Sequence, residues 1–162
     1  MRKVIVNSTP LIALSNIGQL DLFRQLYGEI YLPQAVFREV CEKNDAAGDA
    51  MRKAHDWIHV VSIEHPEQYA MYRAKLHAGE IEVMILAHEP PKADLLIIDD
   101  NAAKKAAKFL GLSVTGTLGV LLKAKRSGLI ESVSPLLDAI KDNGFYISEQ
   151  VIQLVLREAG EK

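Results

Sequence analysis

Two adjacent carboxylates, Asp99 and Asp100, directly follow the apolar run at residues 95–98. Because the run is apolar on both faces, it predicts a buried strand of a parallel sheet. Ligands of open α/β sheets bind where such strands end, so we expect the pair at a crevice. Two acidic side chains there favour an oxygen-ligand site for a divalent cation. The alternative is that one aspartate caps the following helix by accepting backbone N–H hydrogen bonds.

Two glutamates on predicted helices differ in their relation to the core. Glu80 lies in line with Val83, Met84 and Ala87 at helical spacing, which places its carboxylate on the buried stripe. A buried acid is costly unless it is paired, protonated or bound to a cation. The alternative for Glu80 is a first-turn acid favoured by the helix dipole. Glu39 stands at the border of its helix's apolar stripe, and spacing alone predicts a solvated side chain.

Polar residues also follow two other predicted strands. Asn7 comes directly after residues 4–6, and residues 115–117, a Thr-Gly-Thr triplet, follow residues 112–114. The carboxyl ends of parallel strands meet at one edge of a sheet, so these residues are expected to converge with the aspartate pair.

The elements that must position these residues alternate between strand and helix. Strands are predicted near 4–6, 30–32, 58–63, 95–98 and 112–114, with helical patterns between them. This order predicts an α/β fold with three α/β/α layers, in which helices cover both faces of a central parallel sheet of about five strands. Residues 1–162 are expected to form one domain, whose C-terminal helices at 130–160 pack on the core or at a dimer interface.

Composition narrows the classes of protein to consider. The only cysteine, Cys41, cannot form an internal disulfide, which favours the cytoplasm. No apolar stretch approaches membrane-spanning length, and the apolar run at the N-terminus is brief, so neither secretion nor membrane insertion is expected. The formal net charge of the chain is −2, whereas many nucleic-acid-binding proteins carry a strongly positive net charge. Nucleic acid would have to bind through a local patch or a bound metal.

Five segments in order resemble the motifs of PIN domains. They are residues 6–14 (VNSTPLIAL), 33–39 (PQAVFRE), 79–87 (GEIEVMILA), 97–100 (IIDD) and 114–119 (VTGTLG). The chain is most similar to a prokaryotic, toxin-like and uncharacterised subfamily, and the resemblance extends through residues 144–148. Each motif alone is weakly specific, but the five in this order are fairly specific.

The resemblance implies a metal-dependent ribonuclease with acidic residues at the carboxyl edge of the sheet. It assigns the first acidic position to Asn7, the second to Glu39, the third to Glu80 and the fourth to Asp99 or Asp100. These five residues are the expected ligands of Mg²⁺ or Mn²⁺, and the four acidic ones are the expected catalytic residues. Ser8, Thr115 and Thr117 are expected to give polar support.

The same resemblance implies partners. RNA is the expected substrate, with single-stranded DNA as the alternative, and a homodimer and an inhibitory antitoxin protein are expected. Basic residues on two helices would hold the nucleic-acid strand, although a solvated basic face is the competing interpretation. They are Lys104, Lys105 and Lys108 after the aspartates, and Lys123, Lys125 and Arg126 on the next helix.

Asn7 departs from the family pattern, which has an aspartate at the first position. A neutral amide still offers an oxygen ligand, but it removes one negative charge and cannot act as a base. The competing hypothesis is therefore a catalytically weakened module that binds RNA or a protein. A phospho-acceptor receiver domain fits poorly, since its aspartate pair should end the first strand and a lysine should end the last, where this chain has Asn7 and Thr115.

Overall fold

The computed structural model describes residues 2–74 and 76–162. Strands and helices alternate along most of the chain, and a short 3₁₀ helix at Pro66–Gln68 precedes α5. The strands are β1 (Val4–Val6), β2 (Ile30–Pro33), β3 (Ile58–Val61), β4 (Leu95–Ile97) and β5 (Val114–Thr115). The helices are α1 (Ser8–Asn16), α2 (Asp21–Tyr27), α3 (Gln34–Lys43), α4 (Asp45–Lys53), α5 (Tyr69–Tyr72), α6 (Ala78–His88), α7 (Asn101–Phe109), α8 (Thr117–Arg126), α9 (Ser134–Asp142) and α10 (Glu149–Glu158).

The five strands form one sheet in the order β3-β2-β1-β4-β5, and every pair is parallel. The central strand, β1, is buried along its whole length, and its Ile5 lies opposite Tyr31 of β2 and Leu96 of β4. The predicted three-layer α/β/α fold with a five-stranded parallel sheet is confirmed. Because β1 and β4 are neighbours, the residues that follow them lie side by side at the carboxyl edge.

Helix α6 is buried from Gly79 to Ala87, as its almost continuous apolar sequence requires. It packs on α3 and on strands β1 and β2. Lys3, just before β1, holds the far end of this helix, because its Nζ donates hydrogen bonds to the carbonyl oxygens of Leu86 (2.7 Å) and Glu89 (3.0 Å). The N-terminus of α6 is thereby fixed relative to the end of β1, where the candidate site lies.

The C-terminal helices lie against the core. Helix α9 contacts α1 and buries Leu137 and Ile140, while α10 contacts α8 and buries Val155. Glu161 fastens this region, because its carboxylate accepts hydrogen bonds from Ser132 Oγ and from the backbone N–H groups at the start of α9.

Some element boundaries differ from the predicted ones. Strand β5 covers residues 114–115 rather than 112–114, because the N–H of Leu112 donates to the carbonyl of Ala107 and closes the end of α7. Strand β3 stops at Val61 rather than at residue 63. None of the helices in the described part of the chain is long and apolar enough to cross a membrane.

Candidate active site

A cleft of about 410 Å³ opens at the carboxyl edge of the sheet; we call it the acidic cleft. Four elements supply its acidic and amide groups: β1 leads to Asn7, α3 carries Glu39, α6 begins near Glu80, and β4 leads to the aspartate pair. Its lining is Asn7, Ser8, Thr9, Glu39, Lys43, His77, Glu80, Asp99, Asp100, Gly144, Phe145 and Tyr146. The structure therefore brings all five expected metal ligands to one opening.

Asn7 is 3% exposed and stands directly before the first residue of α1. Its backbone N–H donates to the carbonyl of Ile97 on β4, but its side-chain Oδ1 is buried without a hydrogen-bond partner among the described residues. A buried acceptor left in this state costs about 1–3 kcal/mol. A Cβ placed on Gly79 would lie 3.7 Å from Asn7 Oδ1 and 3.1 Å from Glu39 Oε2, so both oxygens face the start of α6.

Glu39 is held by two cleft residues. Its Oε1 accepts hydrogen bonds from Ser8 Oγ and from Lys43 Nζ, both at 3.0 Å. Its side chain is 17% exposed, so the structure differs from the solvated side chain that spacing alone predicts. The reason is that α1 and α3 pack together and bring Ser8 over the carboxylate. Lys43 neutralises part of the charge of Glu39.

Glu80 is 4% exposed and occupies the first turn of α6. The backbone N–H of His77 donates to Glu80 Oε1 at 3.3 Å, and His77 Nε2 lies 3.3 Å from the same oxygen. Burial raises the pKa of Glu80, the neighbouring Asp100 raises it further, and the His77 backbone and ring oppose the rise. Glu80 is therefore both a first-turn acid of α6 and a buried acid that faces another carboxylate, so both interpretations of its spacing describe it.

The two aspartates are held differently. Asp99 is half-buried and accepts hydrogen bonds from the N–H (2.9 Å) and the hydroxyl (2.6 Å) of Thr117. A Cβ on Gly116 would lie only 2.7 Å from Asp99 Oδ1, so a glycine lets the start of α8 approach this carboxylate. Asp100 is exposed and caps α7 through the N–H of Ala103 at 2.9 Å. The capping alternative therefore describes Asp100 but not Asp99.

The remaining predicted residues lie outside the lining of the acidic cleft. Thr117 supports Asp99 by donating hydrogen bonds to its carboxylate. The hydroxyl of Thr115 instead lies against Gly119 of α8. Lys104 is half-buried, and its Nζ would lie 3.0 Å from a Cβ on Gly116. Lys105 and Lys108 are exposed on α7.

Sequence reasoning gave no site role to six lining residues: Thr9, Lys43, His77, Gly144, Phe145 and Tyr146. Lys43 stands four positions after Glu39, a helical ion-pair spacing that was available as a signal. His77 stands three positions before Glu80 and completes a capping box with it. Phe145 and the 85% exposed Tyr146 reach the cleft only because α9 folds back onto α1, and no local pattern indicates this contact.

The oxygen donors suit a hard cation in kind, since Mg²⁺ and Mn²⁺ bind carboxylate and carbonyl oxygens. Within residues 2–74 and 76–162, however, no three His, Cys, Asp or Glu side chains stand close enough together to hold one ion. Each carboxylate is instead engaged by a protein donor. The unpartnered Oδ1 of Asn7, in a cleft shared with Glu80 and both aspartates, is the feature that a cation would satisfy.

Comparison with known families agrees with this geometry. A family model for the PIN domain matches residues 3–161, which is nearly the whole chain. A search of curated proteins finds no match.

Proposed function

Because this chain belongs to the PIN-domain family, we propose that it is a divalent-metal-dependent ribonuclease that hydrolyses phosphodiester bonds of RNA. PIN domains have a nuclease-type fold, generally use divalent metal ions and generally bind nucleic acids. To these general properties of the family we add two proposals for this chain: that it cleaves RNA, and that it uses Mg²⁺ or Mn²⁺.

The observation that carries the proposal is the buried, unpartnered Oδ1 of Asn7 among carboxylates. Among the residues that the structure describes, none donates to this oxygen, although Ser8 next to it donates to Glu39. A cation bound in the acidic cleft would compensate the cost of this arrangement and would also relieve the repulsion between Glu80 and Asp100.

Asn7, Glu80 and Asp100 would hold the ion, because these two carboxylates are near enough to affect each other's charge; Asp99 and Glu39 line the cleft beside them. When bound, the ion supplies an activated water nucleophile and stabilises charge on the phosphate oxygens. The chain's own contribution is to orient the acidic side chains of the cleft: Thr117 fixes the Asp99 carboxylate, and the helix cap made by Asp100 fixes its Oδ2. His77 and Lys43 are the cationic or proton-carrying groups that line the same cleft and would face the phosphate.

A second candidate function is a binding module without turnover. Two observations favour it: the first ligand position is a neutral amide, and Lys43 already neutralises Glu39. Together they lower the negative charge available to a cation, so a single ion is the stoichiometry that we expect.

We also propose that the protein is the toxin of a toxin–antitoxin pair and forms a homodimer. The toxin role rests on the sequence resemblance described above. The dimer rests on exposed apolar residues of α10, namely Val151 (38% exposed) and Leu154 (51% exposed). Induced expression should arrest growth for the wild type and not for Glu80→Gln, and sedimentation analysis should give twice the chain mass.

The deciding experiment is cleavage of a mixed structured RNA by the purified protein. Wild type, Glu80→Gln and Asn7→Asp are each assayed with Mn²⁺, with Mg²⁺ and with EDTA. We expect cleavage by wild type that EDTA and Glu80→Gln abolish, and faster cleavage by Asn7→Asp because the added charge tightens metal binding.

Three results are distinguishable. Metal-dependent cleavage by wild type that Glu80→Gln loses supports the ribonuclease. Activity that appears only in Asn7→Asp supports the weakened binding module. If all three proteins are inert while remaining folded, the catalytic proposal is wrong.

A further inference from the structure

A second recess opens beside the acidic cleft, between α1 and α9; we call it the side recess. It has a volume of about 200 Å³, and Thr9, Lys43, Gly144 and Phe145 line both it and the acidic cleft. The two openings are therefore adjacent, and a chain-like ligand that crosses one can extend into the other.

The walls of the side recess are mainly apolar. Ile12 and Ala13 of α1 form one side, Ile140 of α9 forms another, and the half-buried Phe145 stands at the boundary with the acidic cleft. The apolar part of these walls does not favour a phosphate or a metal ion, because Ile12, Ala13, Ile140 and Phe145 cannot compensate either charge. Aromatic and apolar surfaces of this kind are what unstacked nucleobases bind.

Polar groups lie where a nucleotide would need them. Asn16 and Asn143 line the recess, and both amides are oriented by the protein: Asn16 Oδ1 accepts from Asn44 Nδ2 at 2.7 Å, and Asn143 Nδ2 donates to the carbonyl of Ala139 at 2.8 Å. Amides offer donors and acceptors that pair with base edges. Lys43, at the junction with the acidic cleft, is placed to contact a backbone phosphate.

We propose that the side recess binds one nucleobase of a single-stranded nucleic acid whose backbone crosses the acidic cleft. The recess is smaller than the roughly 300–1,000 Å³ of pockets that enclose drug-sized ligands, so it suits one base and not a whole nucleotide. A base paired within a duplex is not free to enter it, so the strand must be unpaired. That the strand is RNA rests on the proposed function, whereas the presence of a base-binding site is argued from the lining of the side recess.

The test is a double-mutant cycle in binding affinity, in which the ring of Phe145 and the bases of the strand are removed separately and together. Glu80→Gln serves as the background in Mg²⁺, so that the strand is not cut. Fluorescence anisotropy then measures the affinity for a short labelled oligouridine and for the same strand with its bases removed. We expect Phe145→Leu to weaken binding of the intact strand about tenfold, in line with the loss of one stacking contact, and to leave binding of the base-free strand unchanged.

Two further variants keep the result interpretable. Phe145→Tyr retains an aromatic face and should bind the intact strand as Phe145 does. Phe109→Leu removes a phenyl ring that is 90% exposed at the end of α7 and should change neither affinity. Circular dichroism establishes that every variant is folded.

Equal weakening of both strands by Phe145→Leu, or equal affinity of the parent protein for both strands, would overturn the base site. These outcomes are separable from failure of the proposed function. A protein that cleaves RNA but does not distinguish the two strands remains a ribonuclease without this base site. A protein that distinguishes them but never cleaves keeps the base site and is a binding module.

Discussion

Glu80 and Glu82 stand two positions apart on α6 and are almost equally buried, with 4% and 8% exposure, yet their surroundings differ. Glu82 accepts a hydrogen bond from the N–H of Ala35 at 3.1 Å and a short one from the hydroxyl of Tyr69. Burial and this carboxylate raise the pKa of Tyr69 to about 12, so the hydroxyl remains a donor at neutral pH. Glu80 instead faces another carboxylate, Asp100.

Burial alone therefore does not identify a functional acid. Glu82 joins the start of α3 to α5 and α6, and both of its oxygens are used by the protein. Glu80 Oε1 has two long contacts with His77, both at 3.3 Å, and the carboxylate has a like charge beside it. A buried acid with longer hydrogen bonds and a neighbouring like charge is the better candidate for a ligand site.

The largest expected effect is on cleavage. Glu80→Gln should lower the rate of RNA cleavage by more than the roughly 100-fold that losing a residue behind the metal ligands can cost. The isosteric change Glu82→Gln should leave the rate within about threefold, because Glu82 lies outside the acidic cleft. Single-turnover assays in Mn²⁺ compare the two variants. Similar losses in both would remove the distinction between these glutamates.

The next effect is on stability at the C-terminal region. Glu161 accepts hydrogen bonds from four donors, and those from Val133, Ser132, Ser134 and Lys125 lower its pKa from 4.5 to about 2, against the effect of burial. Glu161→Gln should reduce the free energy of unfolding by about 2 kcal/mol near neutral pH, since an amide cannot accept all four.

The pH dependence follows from the sign of that shift. A carboxyl with a lowered folded-state pKa stabilises the protein above its ordinary pKa and loses this contribution as the pH falls toward the folded value. The difference between wild type and Glu161→Gln should therefore shrink as the pH falls from 4.5 toward about 2. Urea titrations across that range measure it, and a constant difference would contradict the assignment.

A smaller loss of stability separates the two glutamates of α6. Glu82→Gln should cost about 1–2 kcal/mol, because two charge-assisted hydrogen bonds become ordinary ones. Glu80→Gln should cost nothing or stabilise the fold, since it removes a buried charge that faces Asp100. Urea unfolding at neutral pH tests both, and a larger loss in Glu80→Gln would show that Glu80 is mainly structural.

The smallest expected effect concerns Lys43, whose side chain is 61% exposed. Lys43→Met should change stability by less than about 1 kcal/mol, as is usual for an exposed ion pair. It should nevertheless raise the affinity for Mn²⁺ by a few fold, because the positive charge of Lys43 no longer offsets the negative charge of Glu39. Electron paramagnetic resonance measures the concentration of free Mn²⁺ and so gives the affinity. Lys141→Met, which removes an exposed lysine near the end of α9, is the matched control and should leave the affinity unchanged.

Much of the fold follows from local sequence. The apolar runs before Asn7 and Asp99 are almost free of polar residues, which is how strands buried on both faces are encoded. Sequence spacing also placed Glu80 on a buried stripe. It could not place Glu39, whose burial depends on Ser8 of another helix, and it gave no role to Glu82, whose partners come from positions 35 and 69.

The other omissions have the same cause. Phe145 and Tyr146 belong to a connection between α9 and α10, and only long-range packing brings them to the acidic cleft. Contacts of this kind carry no periodicity, so residue patterns cannot reveal them.

The position of β1 at the centre of the sheet has a consequence for synthesis of the protein. Its neighbour β4 follows much later in the chain, and the bond that precedes the pair, from Lys3 N–H to Asp94, joins residues 91 positions apart. Such non-local pairing is slow and has to wait for the second partner. During translation the first strand therefore remains without this neighbour until residues 95–97 have left the ribosome, and Asn7 meets Asp99 only then. The acidic cleft is thus incomplete in the nascent chain for most of its synthesis.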